Sequence, residues 1–199
     1  MKTCSLILAH PTPGSFNHAI AQTARARLQQ RGFQVHYHDL YAEKFDPLAE
    51  SAELPKEAPL PASIEQHCAE IGAADGIVIV HPNWWSQPPA ILKGWLDRAL
   101  RPGRAYNFVT TESGEGKPVG LLKAKAALVV TTANTPQEIE EKAFGDPLAI
   151  LWQKVVFGLC GVPNYHRLVF SPVIVSTLEQ RRQWLEEVET TVERVFANR

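Results

Sequence analysis

Three short segments of the chain combine residue types suited to binding a charged, planar ligand. The first, residues 10–17, reads His-Pro-Thr-Pro-Gly-Ser-Phe-Asn and runs directly into a helical apolar repeat. Free N–H groups and the partial positive charge at a helix start favour a phosphate, and His10, Ser15 and Asn17 add side-chain donors. The segment matches neither the P-loop nor the GxGxxG pattern, so no motif implies ATP or NAD. The competing interpretation is that Ser15 only caps the helix and His10 is a turn residue.

The second and third segments supply a flat wall and a polar edge. In residues 81–87, the adjacent Trp84 and Trp85 cannot both point into a core, so at least one indole should be accessible for stacking on an aromatic ligand. A hydrophobic lid or a dimer contact is the alternative. Residues 131–135, Thr-Thr-Ala-Asn-Thr, add hydroxyl, amide and backbone donors. A phosphate site, a stacking wall and a polar edge are the three parts that a flavin requires.

The elements that must position these segments alternate between strand and helix. Apolar runs and period-two alternation predict strands at residues 3–9, 33–38, 75–81, 126–132 and 165–170. Helical spacing, caps and glycine stops predict helices at residues 16–31, 63–72, 88–100, 148–159 and 178–196. Residues 41–62 and 101–122 are predicted to be long loops.

This alternation predicts the α/β class: a doubly wound, five-stranded parallel sheet with helices on both faces, forming a single domain over residues 1–199. Ligands of such sheets bind at the carboxyl ends of the strands, beside the point where the strand order reverses. Each of the three segments follows a predicted strand. We therefore expect them to converge on one site.

The composition and the cysteine and histidine patterns limit the kinds of partner and the cellular location that we expect for the protein. The 199 residues contain 20 Lys+Arg and 21 Asp+Glu, so no broad basic field favours nucleic acid. No apolar run is long enough to span a bilayer and no secretory leader is evident, which predicts a cytoplasmic protein without membrane insertion. Cys4, Cys68 and Cys160 have no CxxC spacing. His36 and His38 share a strand face, but nothing acidic nearby completes a metal site, so no metal is expected.

A stretch in the middle of the chain resembles a known protein family. Residues 89–98, Pro-Ala-Ile-Leu-Lys-Gly-Trp-Leu-Asp-Arg, followed by Arg-Pro-Gly-Arg-Ala-Tyr, resemble the NAD(P)H quinone reductases, which are flavodoxin-like flavoproteins. Ala-His-Pro and Ser-Phe-Asn-His in the first segment, and Gly-Leu-Leu-Lys with Thr-Thr near the fourth strand, match as well. The resemblance extends from residue 3 to about residue 172. Bacterial members associated with glutathione-gated potassium efflux are similar around residues 81–89.

The resemblance implies a homodimer with a flavin at each subunit boundary and two-electron transfer from NAD(P)H to a quinone by a ping-pong route. By position, the residues at the phosphate end would be His10, Ser15, Phe16 and Asn17. Those flanking the isoalloxazine would be Pro82, Asn83, Trp84, Trp85 and Ser86. Those at the polar edge of the ring would be Thr131, Thr132, Ala133 and Asn134. The substrate pocket would be lined by Trp85, Tyr106 and Phe108.

The sequence departs from the mammalian members of this family in two places. Those enzymes carry a tyrosine and a histidine for charge relay after the fourth strand, whereas residues 134–144 contain neither and Phe144 stands near the histidine position. No general acid is therefore assigned. The connection at residues 41–62 is shorter than the mammalian loop that approaches the adenine of FAD. FAD and FMN both stay open, and the Ser-Phe-Asn triplet slightly favours FAD.

Two other functions compete with the enzyme. A redox-sensing regulatory subunit of a membrane transporter would retain oxidoreductase activity and the same flavin site. An electron carrier of the flavodoxin kind would need a Thr- and Gly-rich phosphate loop, which the sequence lacks. The sequence does not distinguish NADH from NADPH, and it does not identify the physiological acceptor.

Overall fold

The computed structural model describes residues 1–110 and 114–197, and a parallel sheet forms its centre. The strands of this sheet are β1 (Thr3–Leu8), β2 (Gln34–Asp39), β3 (Gly76–Pro82), β6 (Ala126–Thr132) and β7 (Asn164–Phe170). They are ordered β2-β1-β3-β6-β7 and every pair is parallel. The predicted five-stranded parallel sheet is therefore confirmed.

Helices cover both faces of the sheet. They are α1 (Phe16–Gln30), α2 (Ala62–Ala73), α3 (Ala90–Ala99), α4 (Gln137–Phe144), α5 (Pro147–Ile150), α6 (Gly158–Cys160) and α7 (Leu178–Val195). One apolar core joins the sheet to α1 and α7. The other joins it to α2, α3 and the segment around Trp152. Because β3 and β6 are covered on both faces, every residue in them is buried, which explains their continuous apolar runs.

The connection at residues 41–62 is fastened to α3 by a buried ion pair. It contains a short 3-10 turn, Ser51–Glu53. The guanidinium of Arg98 donates to both carboxylate oxygens of Glu53 and to the backbone carbonyl of Asp46. A Cβ on Gly94 would lie 2.2 Å from the carbonyl oxygen of Pro47, so this close approach requires glycine. The loop is irregular, as predicted, but its position is fixed.

The predicted loop at residues 101–122 contains an antiparallel hairpin of β4 (Tyr106–Thr110) and β5 (Gly116–Gly120). Residues 111–113 of that loop lie outside the described residues. The short helix α4 was also not predicted. The helix predicted at residues 148–159 is confirmed in position, but its middle, Leu151–Phe157, is π-helical.

Among the described residues, no single helix has the length and apolar composition needed to cross a membrane, although Gln137–Phe144 with Pro147–Cys160, bent by 82°, passes that test as a pair.

Candidate functional site

The three predicted segments line one cavity of about 870 Å³ at the carboxyl ends of the strands. They follow β1, β3 and β6, which are neighbours in the sheet around the β1/β3 reversal of strand order. All the residues predicted to contact the cofactor line this cavity except Thr131, which is buried. The structure thus brings the segments together, as the strand order requires.

At one end of the cavity the first segment leads into α1. Gly14, with φ of 71°, turns the chain so that Ser15 occupies the N-cap position of α1. The Ser15 hydroxyl makes no cap hydrogen bond and lies 2.9 Å from Nδ1 of His18. Nε2 of His18 lies 3.0 Å from Oδ2 of Asp39. The Ser15 side chain is therefore oriented by a hydrogen-bonded chain that sequence reasoning missed.

His10 is held as a donor at the same end of the cavity. Its Nδ1 accepts a hydrogen bond from the backbone N–H of Thr12 at 3.1 Å, so the neutral ring carries its proton on Nε2. Burial lowers the pKa of His10. The free backbone N–H groups at the start of α1 lie beside these side chains, and this combination suits an anionic group.

The second segment forms a tight turn that displays an indole ring. The backbones of Trp84 and Gln87 exchange two hydrogen bonds of 3.0 Å. Trp85 and Ser86 between them both have φ of 56°, a left-handed conformation that is unfavourable for residues other than glycine. The Trp85 side chain is 98% exposed and that of Trp84 is 42% exposed. The prediction of an accessible indole is confirmed, and Trp85 is not a core residue.

The third segment ties the walls of the cavity together. The amide of Asn17 donates to the Thr132 hydroxyl across 2.9 Å, joining the start of α1 to the end of β6. The Thr132 carbonyl accepts from the backbone N–H of Asn83 at 2.7 Å. The Asn134 side-chain oxygen accepts a hydrogen bond from the backbone N–H of Ile174. This oxygen therefore binds the loop after β7.

An unsatisfied polar atom indicates what the cavity binds. Oδ1 of Asn83, on the cavity wall, is buried without a hydrogen-bond partner. A buried acceptor without a donor costs free energy, and a ring N–H of a bound ligand would satisfy it. Together with the donors at the α1 end and the exposed indole, this acceptor fits a flavin.

Seven further residues line the cavity beyond those predicted. They are Gln87, Thr135, Glu140, Phe144, Pro147, Val173 and Arg181. Arg181 lies over the Phe16 ring at 5.8 Å, which places a cation at the α1 end. In the sequence, nothing marks Arg181 as a site residue except its place in the first turn of α7, far from the three predicted segments. Glu140 reads in sequence as an ordinary surface acid.

The two residues predicted to line the substrate pocket from the hairpin lie elsewhere. Tyr106 and Phe108 pack edge to face with ring centroids 5.8 Å apart on β4. Neither lines the cavity formed by this chain. Phe108 is exposed on one face of the hairpin, and Val109 and Val119 are exposed on the other.

The structure places acidic groups against the two strand histidines. Nδ1 of His38 lies 2.9 Å from Oε1 of Glu43, and its Nε2 lies 2.5 Å from Oε2 of Glu70. His36 lies 3.4 Å from Glu70. The expectation that nothing acidic lies near these histidines is therefore wrong, because a following loop and α2 supply the carboxylates. Burial opposes charge on His38, but bonds to the two carboxylates outweigh it and raise its pKa.

This cluster is better explained as an ion-paired network than as a metal site. His38, Glu43 and His67 lie close enough together to hold a metal ion. However, Nδ1 of His67 accepts from the indole N–H of Trp95 at 3.2 Å. The proton of a neutral His67 is then on Nε2, the nitrogen that faces Glu43. A metal would need a lone pair on that nitrogen.

The fold and the site together define an α/β protein of the flavodoxin-like class, with its ligand cavity at the switch point of the sheet. The family model described as a flavodoxin-like fold matches residues 1–192. The chain belongs to this family, and the resemblance to flavodoxin-like quinone reductases seen in the sequence is confirmed.

Curated relatives carry oxidoreductase names. An uncharacterized NAD(P)H oxidoreductase of Haemophilus influenzae is 34% identical over 91% of this chain and 89% of that protein. NAD(P)H dehydrogenase [quinone] 1 of Cavia porcellus is 32% identical over 81% of this chain, and the match spans 65% of that longer protein.

Solved structures share the fold. A putative quinone reductase from Klebsiella pneumoniae superposes with a TM-score of 0.85 at 23% identity, covering 100% of this chain and 86% of that one. An FMN-dependent NADH-azoreductase of Bacillus anthracis in complex with FMN superposes with a TM-score of 0.77 at 18% identity, covering 100% of both chains. At these identities the likeness concerns the fold.

Proposed function

We propose that this protein is a flavin-dependent NAD(P)H:quinone oxidoreductase that transfers two electrons per cycle. The observation that carries the proposal is the cavity, which has donors for a phosphate at the α1 end and the exposed ring of Trp85 at another part of its wall. The oxidoreductase names of the relatives support the same activity.

The residues around the cavity have distinct parts in this proposal. His10, Ser15 and the first N–H groups of α1 would hold the phosphate, with Arg181 adding a positive charge. Oδ1 of Asn83 would accept a ring N–H, and Trp85 would cover the ring and exclude water. The flavin, when bound, supplies the two-electron redox chemistry, while the protein orients the reactants and tunes the site. NAD(P)H and the acceptor would use the same open wall in turn, which gives ping-pong kinetics.

The proposal concerns the ring and ribityl phosphate that FAD and FMN share. The sequence slightly favours FAD through the Ser-Phe-Asn triplet, whereas the azoreductase neighbour holds FMN. Releasing the flavin from purified protein and measuring its mass distinguishes the two. A purified protein that is colourless, and that binds neither flavin on addition, would contradict the proposal.

We further propose that a second copy of the chain completes the substrate pocket. Tyr106 and Phe108 lie outside the cavity of their own chain, and the hairpin exposes Phe108 on one face and Val109 and Val119 on the other. Exposed apolar side chains grouped in this way indicate an interaction surface. Light scattering at micromolar concentration should give the mass of a dimer, and Phe108→Glu should shift it toward the monomer. A monomeric wild-type protein would contradict this part of the proposal.

Activity is tested by NAD(P)H oxidation with and without a benzoquinone. We expect oxidation that depends on the acceptor, and initial-rate plots with parallel lines. A role in regulating a membrane transporter stays a prediction of the sequence resemblance, and co-purification with such a transporter is its test.

A further inference from the structure

The proposed reaction needs one proton besides the hydride. NAD(P)H + Q + H⁺ gives NAD(P)⁺ + QH₂, where Q is the quinone. NAD(P)H supplies two electrons and one proton as a hydride equivalent, so the second O–H bond of the product takes its proton from elsewhere. A positioned acid that supplies it in the transition state typically accelerates such a step by about 100-fold or more. The inference below rests on the proposed function.

One acidic side chain of the described residues lies in the cavity wall. Glu140, on α4, is 4% exposed and lines the cavity beside Ser86 and Phe144. The Ser86 hydroxyl donates to Oε1 of Glu140. Ser86 is one of the two residues held in the left-handed turn next to Trp85, so the carboxyl lies at the indole side of the cavity.

The surroundings of Glu140 differ from those of a structural ion pair. Among residues 1–110 and 114–197, no Lys, Arg or His lies within salt-bridge distance of its carboxylate. Burying a carboxylate without a cation costs free energy. The neighbouring acids on α4, Glu138 and Glu141, avoid that cost because they are exposed to solvent. A carboxyl kept in this position at such a cost points to a function in the cavity.

Other charged groups around the cavity are unsuited to the same task. His10 and Arg181 line it, and both lie at the α1 end. Arginine does not release its proton in proteins. Residues 82–87 carry no titratable side chain facing Glu140, and on α4 itself Lys142 is exposed.

We propose that Glu140 is the proton donor to the acceptor and that Ser86 positions its carboxyl. Oε2, opposite the oxygen bonded to Ser86, holds the proton. As the acceptor takes the hydride equivalent, the Oε2–H bond breaks and an O–H bond forms on the quinone oxygen. The carboxylate that remains accepts the Ser86 hydroxyl and is reprotonated from water.

The test compares Glu140→Gln with Glu138→Gln, an exposed control on the same helix. Quinone reduction and ferricyanide reduction are measured by stopped flow from pH 5 to 9, because ferricyanide takes electrons without a proton. We expect the ratio of quinone to ferricyanide rates to fall about 100-fold in Glu140→Gln and to lose its pH dependence. Glu138→Gln should match the wild type, and Glu140→Asp should recover part of the lost rate.

A second readout does not depend on turnover. In ¹³C spectra of the flavin-loaded protein, the carboxyl resonance missing from Glu140→Gln should shift when benzoquinone is added without NAD(P)H, because the proposed donor contacts the acceptor. An unchanged rate ratio in folded, flavin-loaded Glu140→Gln overturns this inference and leaves the proposed function standing. A wild-type protein that binds no flavin, or reduces no acceptor, overturns both.

Discussion

The indole N–H of Trp152 donates to Nε2 of His81 across 3.1 Å in the buried core beneath the cavity. The other nitrogen of His81, Nδ1, lies 2.8 Å from the carbonyl oxygen of Pro82 and donates to it. Both ring nitrogens are thus committed, which fixes the neutral tautomer with its proton on Nδ1. Because Pro82 ends β3 two residues before the turn that presents Trp85, the π-helical segment positions a wall of the cavity through a single histidine.

This relationship predicts that His81 stays neutral in the folded protein at all ordinary pH values. Burial lowers its pKa to about 4, although the bond to Pro82 opposes that shift. The unfolded chain takes up a proton near pH 6.5, so the contribution of His81 to stability is complete above pH 6.5. It is lost as the pH falls toward 4, by about 3 kcal/mol in total. Nitrogen-detected NMR should show the Nδ1–H tautomer unchanged down to about pH 5, and a midpoint near 6.5 would contradict the assignment.

The cluster around His38 predicts the opposite pH dependence. The pKa of His38 is raised, since its bonds to Glu43 and Glu70 outweigh its burial, so its contribution is complete below pH 6.5 and is lost as the pH rises through the folded value. Burial favours the neutral form of Glu43, but bonds to His38 and His67 lower its pKa to about 2. Its contribution is present above pH 4.5 and is lost on acidification.

Urea unfolding tests this prediction between pH 6 and 9. His38→Gln should flatten the decline in the free energy of unfolding as the pH rises. Equal slopes for the wild type and His38→Gln would show that His38 is not the titrating group.

The exposed position of Trp85 predicts a variant that loses ligand affinity but not stability. Trp85→Ala removes an aromatic contact worth about 0.5–1.5 kcal/mol beyond area burial, so flavin or acceptor binding should weaken by up to about tenfold. The thermal midpoint should hardly change because the side chain is 98% exposed. Trp152→Ala is the matched control, since truncating a fully buried tryptophan costs about 3–5 kcal/mol. If Trp85→Ala unfolds the protein at unchanged flavin affinity, the site assignment is wrong.

The buried ion pair of Arg98 and Glu53 predicts that the stability losses of the two single variants do not add up in the double variant. Glu53→Gln leaves the buried guanidinium with only the exposed carboxylate of Asp46, 3.7 Å away, as a counter-charge, and should cost about 3–5 kcal/mol. Replacing both residues, as in Glu53→Gln with Arg98→Met, should cost less than the sum of the two single changes. Denaturant unfolding of the four proteins gives the coupling energy. Additive effects would mean that the pair does not hold the 41–62 connection.

The sequence by itself determined the parallel sheet and the three segments of the cavity. Buried strands such as β3 and β6 are apolar over their whole length, and that pattern is local. The rule that ligands lie at the carboxyl ends of parallel strands then sufficed to bring residues 10–17, 81–87 and 131–135 together. Two adjacent tryptophans also required an exposed ring, which the structure identifies as Trp85.

Only the tertiary structure decided the elements and partners that depend on distant contacts. The strand β5 reads Gly-Lys-Pro-Val-Gly, a composition with low strand propensity, and it forms through its pairing with β4. Nothing local distinguishes Glu140 from Glu138, because which of them is buried depends on how α4 packs beside the 84–87 turn. Contacts between residues far apart in the chain, such as His38 with Glu70 or Trp152 with His81, depend on how helices pack across the sheet, and a hydrophobic pattern carries no information about such polar pairings.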